Sequence, residues 1–351
     1  MKKVITSVSL PVGLTLFLYR VYNLCRLVFN RTEIEQDIKK QIQVFHQKSD
    51  GGGNSALIHD IKKSYVLHLA KPLEYFLFNF KDKSHSEKNK YLTDFIKDTY
   101  LKKYAKIERA KQLQDKFYVY DKMHQYYQRE ACLISKESDF ETFYAFVTDI
   151  PRFIAKPNTG SFGANTKIYN LVGSDPISIF KELLSYKTSW ILEELIEQVP
   201  EMSQFNPTSV NSVRIPTFRT KNGYDIFGTF MRVGRKGSVV DNAGAGGIFV
   251  RVDEISGEII SDGFNEQGDV FEKHPDSKIR FKGFKIPYYE DLKSIAIKCH
   301  KDLPEHKYVG WDFALTKDGW VLLEGNWGQF LCQQTASKKG LKEEFIRLIM
   351  L

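Results

Sequence analysis

Cysteine is scarce in this chain. Four residues, Cys25, Cys132, Cys299 and Cys332, are spread over 351 positions, and no two share the close spacing of a zinc or dithiol motif. A disulfide framework is therefore excluded, and a reduced, intracellular protein is expected. Cys332 follows a candidate site closely in sequence, yet a buried, unreactive thiol is the expectation. The eight histidines are dispersed without paired ligand spacing, so none is assigned to zinc. Repeats and long low-complexity segments are absent. The lysines between residues 81 and 122 are scattered rather than gathered, as on a solvated helical face. The aromatic-basic interleaving of familiar nucleic-acid folds is also missing, and no nucleic-acid partner is expected.

Long apolar runs are lacking too. Residues 4–19 are mostly apolar and follow Lys2 and Lys3, like the basic and apolar regions of a secretory signal. No small-residue cleavage site follows, and Arg20 and Arg26 interrupt the run, which leaves it short for a membrane span. The first reading is a helix with one apolar face packed on the domain. The second is peripheral membrane association through residues 1–30, and the third a signal or span. A cytoplasmic protein, with membrane attachment left open, is the working picture.

What is present allows a sizeable interior: 42% of residues are hydrophobic and 14% aromatic. The length predicts two or three subdomains rather than one core. The net charge of +8 favours anionic partners without choosing among nucleotides, nucleic acid, acidic lipid and acidic polymers. Residues 32–47, 65–80 and 91–128 have helical character, with a flexible break at 49–55. Beyond residue 115 the pattern changes. Strands are predicted at 131–135, 152–155, 167–172 and 190–195, with helices at 140–147 and 176–185. Asp175 is placed to cap the second helix and Pro176 to start it. Hairpins follow at 212–219/224–233 and 246–252/258–260, then a helix at 288–300, a hairpin at 308–329 and a closing helix at 338–349. This is an α+β pattern dominated by antiparallel pairs.

The hairpin at 308–329 carries the clearest chemistry. Its turn, Thr316-Lys317-Asp318-Gly319, is a strong hairpin signal. Pairing brings Asp312 beside Glu324, and Asn326 lies two residues on, facing the same side. Three oxygen-bearing side chains converge there, as Mg²⁺ prefers. Alone, the pattern also fits a surface hairpin with polar ends. A second element is Lys156 at a strand end, followed by the small-residue loop 158–165, including Gly160, Ser161, Phe162 and Gly163. Glycines admit close backbone approach to phosphate, and the lysine adds a point charge. The Gly-Lys-Ser/Thr tail of a P-loop is absent, and an ordinary glycine-rich hairpin loop fits equally. A third element, Glu193-Glu194-Leu195, reads as a base-binding hinge or as an edge strand with exposed glutamates. A fourth, Arg214 and Arg232 on paired strands before Asn242, reads as charge stabilisation or as two surface arginines.

The order of these elements resembles the ATP-grasp superfamily, in particular its sugar-transfer-associated branch, and more distantly the carboxylate ligases of RimK and D-Ala–D-Ala ligase type. The phrases FNPTSVNSVRI, DNAGAGGIFVRVD and GWDFALTKDGWVLLEGNWGQ carry the resemblance. It implies two α+β subdomains clamping ATP: a helical region at 1–115, a subdomain at 116–190 with the glycine-rich loop, and one at 191–351 with the metal hairpin. By the same resemblance Lys116 and Lys156 reach the ATP phosphates, beneath Gly160 to Gly163. Glu193, Glu194 and Leu195 hold adenine, and Glu201 is a ribose contact. Asp312, Glu324 and Asn326 bind Mg²⁺, Arg214 and Arg232 stabilise transferred phosphate or acyl-phosphate, and Asn242 lies near metal and phosphate. Two departures stand out. Val240 and Gly310 occupy positions where ligases of the superfamily often have arginine, so the acyl-acceptor half differs.

The resemblance thus implies an ADP-forming ligase that activates a carboxylate as acyl-phosphate for attack by an amine, hydroxyl or thiol. A small carboxylate or a sugar or polysaccharide precursor is the implied substrate. One alternative is a kinase of a sugar or polyol hydroxyl on the same fold. Another is a non-catalytic module that binds an acidic polymer.

Overall fold

A computed structural model describes residues 10–46, 55–105, 112–160, 165–328 and 330–351. Helices dominate the first third: α1 (Val12–Phe29), α2 (Arg31–His46), α3 (Ser55–Leu67), α4 (Pro72–Leu77), α5 (His85–Lys88), α6 (Asp94–Tyr104) and α7 (Lys116–Tyr127). The aromatic stretch at 65–80 is not one helix. Leu69 takes a left-handed conformation, and Pro72, which cannot donate to a continuing helix, starts a new one. The break expected at 49–55 lies almost wholly outside the described residues.

A four-stranded antiparallel sheet comes next. It is built from β1 (Ala131–Ile134), β2 (Arg152–Pro157), β3 (Lys167–Asn170) and β4 (Trp190–Glu194), in the order β1-β4-β2-β3. Helices α8 (Phe140–Asp149) and α9 (Pro176–Ser185) cover one face through Phe143, Phe153, Phe180 and Trp190. Asp175 caps α9, accepting from the Ile177 and Ser178 amides at 3.1 Å each. The boundary expected at 190/191 cuts through β4. Glu193 is paired on both sides, with Ala131 of β1 and Ile154 of β2, and Glu194 with Phe153 of β2, so the smaller sheet ends after Glu194 and β4 is no edge strand.

After the short helix α10 (Pro200–Ser203) the chain forms the larger sheet. Its strands are β5 (Val213–Thr220), β6 (Gly223–Ile226), β7 (Phe230–Val233), β8 (Ile248–Arg251), β9 (Gly263–Phe264), β10 (Val270–Phe271), β11 (Tyr308–Thr316) and β12 (Gly319–Asn326). The order is β10-β9-β8-β7-β5-β11-β12, with β6 also on β5. The arm expected as one strand over 224–233 divides: β6 pairs with the end of β5 and β7 with its start. Helices α11 (Tyr289–Asp302), α12 (Leu331–Ser337) and α13 (Lys342–Met350) complete the chain. The closing helix therefore starts at Lys342 rather than 338, because Lys338 is left-handed and a Cβ on Gly340 would lie 2.3 Å from the Lys90 backbone.

Alternation sorts the larger sheet into two faces. Val309, Trp311, Phe313 and Leu315 of β11 join Val213 and Ile215 of β5 and Met231 and Val233 of β7 in one core, packed against α7 and α11. The intervening residues Asp312, Arg214 and Arg232 therefore share the opposite face. Farther along that face, Phe218 and Tyr308 meet Tyr19 of α1, Leu101 of α6 and Phe345 of α13.

Candidate functional site

The hairpin β11–β12 reaches its functional geometry through an irregularity. From the turn, Thr316 pairs with Gly319, Leu315 with Trp320 and Phe313 with Leu322, so Trp320 and Leu322 face the core. Strict alternation would send Glu324 to that core as well. Instead the register shifts between Asp312 and Phe313, Leu323 becomes the extra residue, and Glu324 pairs with Asp312. The bulge turns Glu324 and Asn326 onto the face of Asp312. Gly325, between them, faces the core, where a Cβ would lie 3.2 Å from the Trp311 ring and 3.5 Å from Leu113.

The three predicted metal residues are together. The Asn326 amide donates to Asp312 Oδ2 at 3.2 Å and to Glu324 Oε1 at 3.0 Å. Asp312, wholly buried, accepts from Arg214 Nε at 2.6 Å and Nη2 at 2.5 Å, and from Arg232 Nη2 at 2.7 Å. Burial opposes ionisation of Asp312, but the two guanidiniums hold its carboxyl well below the usual range. Glu324 moves the other way, pushed up by burial and by the Asp312 carboxylate beside it. Among the described residues no group of three or more His, Cys, Asp or Glu is placed to hold a metal. The set is two carboxylates and an amide carbonyl. All are hard oxygen donors, and such a set suits Mg²⁺, which usually takes one or two carboxylates and completes its shell with water and phosphate.

Asp312 and Glu324 border a cleft of about 1130 Å³ between the two sheets. The larger sheet contributes Arg232, Asp241, Asn242, Asp312, Leu323 and Glu324, and the facing wall includes Lys116, Lys156, Gly160, Glu193, Glu194 and Leu195. Arg232 donates to Asn242 Oδ1 at 3.1 Å and to Ser212 Oγ at 2.9 Å, and Ser212 Oγ donates to Asp241 at 2.5 Å. Lys116 starts α7, capped by Asp115. Its ammonium donates to the carbonyls of Pro157 at 2.9 Å and Gly160 at 3.1 Å, and burial, with Lys156 nearby, pushes its pKa down. Asn158 joins α7 to β2, accepting from the Phe117 amide at 2.8 Å and donating to Asp115 at 3.0 Å.

Several predicted residues stand elsewhere than expected. Arg214 does not line the cleft. Its guanidinium lies behind Asp312 and is bonded to it, so it supports the carboxylate rather than facing a transferred phosphate. Glu201 is an exposed residue of α10 outside the cleft wall; Glu197, nearer the end of β4, lines the cleft instead. Glu193 is no exposed strand-end acid. It is buried, receives Lys156 at 2.9 Å and is clasped by Arg129, which hold it ionised down to about 2 against the cost of burial. Asn326 bonds its neighbours without lining the cleft. Ser161, Phe162 and Gly163 lie outside the described residues. Cys332 is buried away from the cleft, and burial pushes its thiol up to about 12.

Sequence reasoning missed Arg129, Ser212 and Asp241. Ser212 and Asp241 sit inside the quoted phrases, beside Arg214 and Asn242, but serine and aspartate there carry no spacing signal. Arg129 has none either: it follows Gln128, whose left-handed conformation ends α7. The two departures acquire a spatial meaning. A Cβ on Gly310 would meet Tyr308 Oη at 3.1 Å and lie 3.6 Å from Arg214 Cδ. Arg214 on the neighbouring strand therefore lies beside Gly310, at ordinary van der Waals distance from where a Cβ would stand. Val240 lines the cleft as an apolar residue.

Residues 96–348 match the family described as sugar-transfer associated ATP-grasp. The chain belongs to that family. Its mixed α/β architecture, with antiparallel sheets and a helical N-terminal portion, is the ATP-grasp fold of this member. Similar solved structures include the ATP-grasp ligase PsnB complexed with minimal precursor, at 13% identity and a TM-score of 0.42, covering 69% of this chain and 62% of that one. The D-alanine–D-alanine ligase from Bacillus anthracis is 13% identical with a TM-score of 0.40, covering 68% and 66%. The D-cycloserine synthetase DcsG is 13% identical with a TM-score of 0.43, covering 80% and 81%. The chain thus spans slightly less than two thirds of PsnB and of the B. anthracis ligase. No protein of curated function matches this ATP-grasp chain.

Proposed function

We propose that this ATP-grasp protein is an ADP-forming ligase that activates a carboxylate with ATP and passes the acyl group to an amine, hydroxyl or thiol. The observation that carries the reading is the convergence of Lys116, Lys156, Arg232, Asp312 and Glu324 on one cleft. Cations on both walls suit a polyphosphate, and the paired carboxylates suit its counter-ion. Lys116 and Lys156 bind the phosphates, and the end of β4 at Glu194 and Leu195 offers the wall for the base. Glu324 and the Asn326 carbonyl, with Asp312 behind them, are the groups that would hold Mg²⁺. The bound ion offsets negative charge on the phosphates during transfer. Arg232, fixed by Ser212, Asn242 and Asp312, points its charge at the cleft and stabilises the phosphoryl group electrostatically rather than as an acid or base. The substrate carboxylate attacks the γ-phosphorus, ADP leaves, and the acceptor then displaces phosphate from the acyl-phosphate. A substrate from cell-surface polysaccharide metabolism is supported by the family's association with sugar transfer.

Screening phosphate release with Mg·ATP against carboxylates and acceptors, with mass spectrometry of the products, tests this. A new amide, ester or thioester with free phosphate supports the ligase. A stable phosphate ester on a hydroxyl identifies a kinase instead. Failure to bind Mg·ATP in calorimetry points to a non-catalytic module.

A further inference from the structure

Helix α1 carries more apolar side chains than its packing covers. Its inward face, against α3 and α6, buries Thr15, Tyr19 and Asn23, and Leu16, Leu18 and Tyr22 pack beside Tyr19 on the apolar core. Asn23 donates to the Tyr65 carbonyl at 2.9 Å, and Arg26 donates to Tyr65 Oη at 3.1 Å and pairs with Glu33 at 2.8 Å. The outward face is apolar. Leu14, Phe17, Leu24 and Val28 are 45%, 56%, 53% and 62% exposed. In water the hydrophobic effect drives such a stripe inward. A contiguous apolar face left outside marks a surface that meets something apolar.

We infer that this face of α1 rests on the surface of a bilayer containing anionic lipid, with the helix in the plane of the membrane. Charge selects the anionic surface. Before Glu33 the sequence contains Lys2, Lys3, Arg20, Arg26 and Arg31 and no acidic residue; Arg26 and Arg31 are paired with Glu33 and Glu35, and the basic groups without an acidic partner favour an anionic leaflet. By length and composition alone α1 could cross a membrane: it has 18 residues and a mean hydropathy of 1.3. Its fixed inner face argues against crossing. A span would carry the Arg26–Glu33 pair and the neighbouring α3, with Lys62 and Lys63, into hydrocarbon. The other covering to consider is a second copy, since residues 14, 17, 21, 24 and 28 follow a coiled-coil spacing. The flanking positions argue against it. Leu18, Cys25 and Leu27 are uncharged and Arg20 is basic, so two copies bring no opposite charges together.

The test uses the full chain and vesicles of phosphatidylcholine with or without phosphatidylglycerol. Co-sedimentation is expected with the anionic vesicles and to weaken with salt. Substituting Phe17, Leu24 and Val28 together by serine should reduce binding at least about a hundredfold, while the melting temperature stays near that of the parent because these side chains face outward. As a second readout, Phe17→Trp should show a blue-shifted emission with anionic vesicles. Absence of vesicle binding or of the blue shift overturns the inference. So does a lipid-free dimer that the triple serine substitution converts to monomer while vesicle binding is unaffected.

Discussion

Asp312 and Glu324 face each other across one hairpin, yet their substitution should have different consequences. Asp312 is buried beneath Arg214 and Arg232. Asp312→Asn leaves two buried guanidiniums without their carboxylate, and a loss of about 3–5 kcal/mol of stability is expected in denaturant melts. Glu324 borders the cleft and is partly exposed. Glu324→Ala should leave the melt within about 1 kcal/mol and remove Mg·ATP turnover in a phosphate-release assay. Unchanged turnover would dismiss the proposed metal role. The candidate residues were readable at this scale because Asp312, Glu324 and Asn326 lie on one hairpin, where local pairing sets who meets whom. Arg214 was misread. Its pattern showed an arginine on a strand, and only the pairing of Arg214 with Asp312 places it behind the carboxylate.

Among elements, strands and turns with local signals were legible: the β11–β12 turn, the Asp175 cap of α9 and the antiparallel pairing throughout. The bulge at Leu323 was not, because an apolar run reads the same with or without an extra residue. Nor was the junction between the two sheets. Arg129 donates to the Leu322 carbonyl of β12 at 2.6 Å and to Glu193 of β4 at 2.9 Å, and so ties the β11–β12 hairpin to the opposite wall. Arg129→Ala should cost about 3 kcal/mol and raise KM for ATP, because Glu193 would keep only Lys156 as its partner. Arg129→Lys restores the charge but not the fork, so partial rescue is expected. A variant with unchanged melting and unchanged KM would show that the tie is dispensable.

For the molecule as a whole, stability against pH offers a direct test of the packing. His300 is buried beneath β5, with Nδ1 2.7 Å from Thr217 Oγ1 and Nε2 2.9 Å from the His306 carbonyl. Burial lowers its pKa from 6.5 to about 4. Between these values the unfolded chain binds the extra proton and the folded one does not, so stability falls as pH falls through this window, by up to about 3 kcal/mol. Melts of the parent and of His300→Gln should diverge in slope there, and parallel curves would contradict the buried neutral ring. Composition, turn chemistry and the order of short motifs by themselves determined the α+β class, the hairpin carrying Asp312 and Glu324, and the resemblance to ATP-grasp proteins. These depend on contacts close in sequence or on patterns that survive divergence. The tertiary structure alone decided that Glu193 is a buried ion-pair partner, that Arg214 lies beside Gly310, and that α1 leaves an apolar stripe exposed. Each of these depends on which distant element packs against a residue, and periodicity can reveal that a helix has two faces without telling which one the rest of the chain will cover.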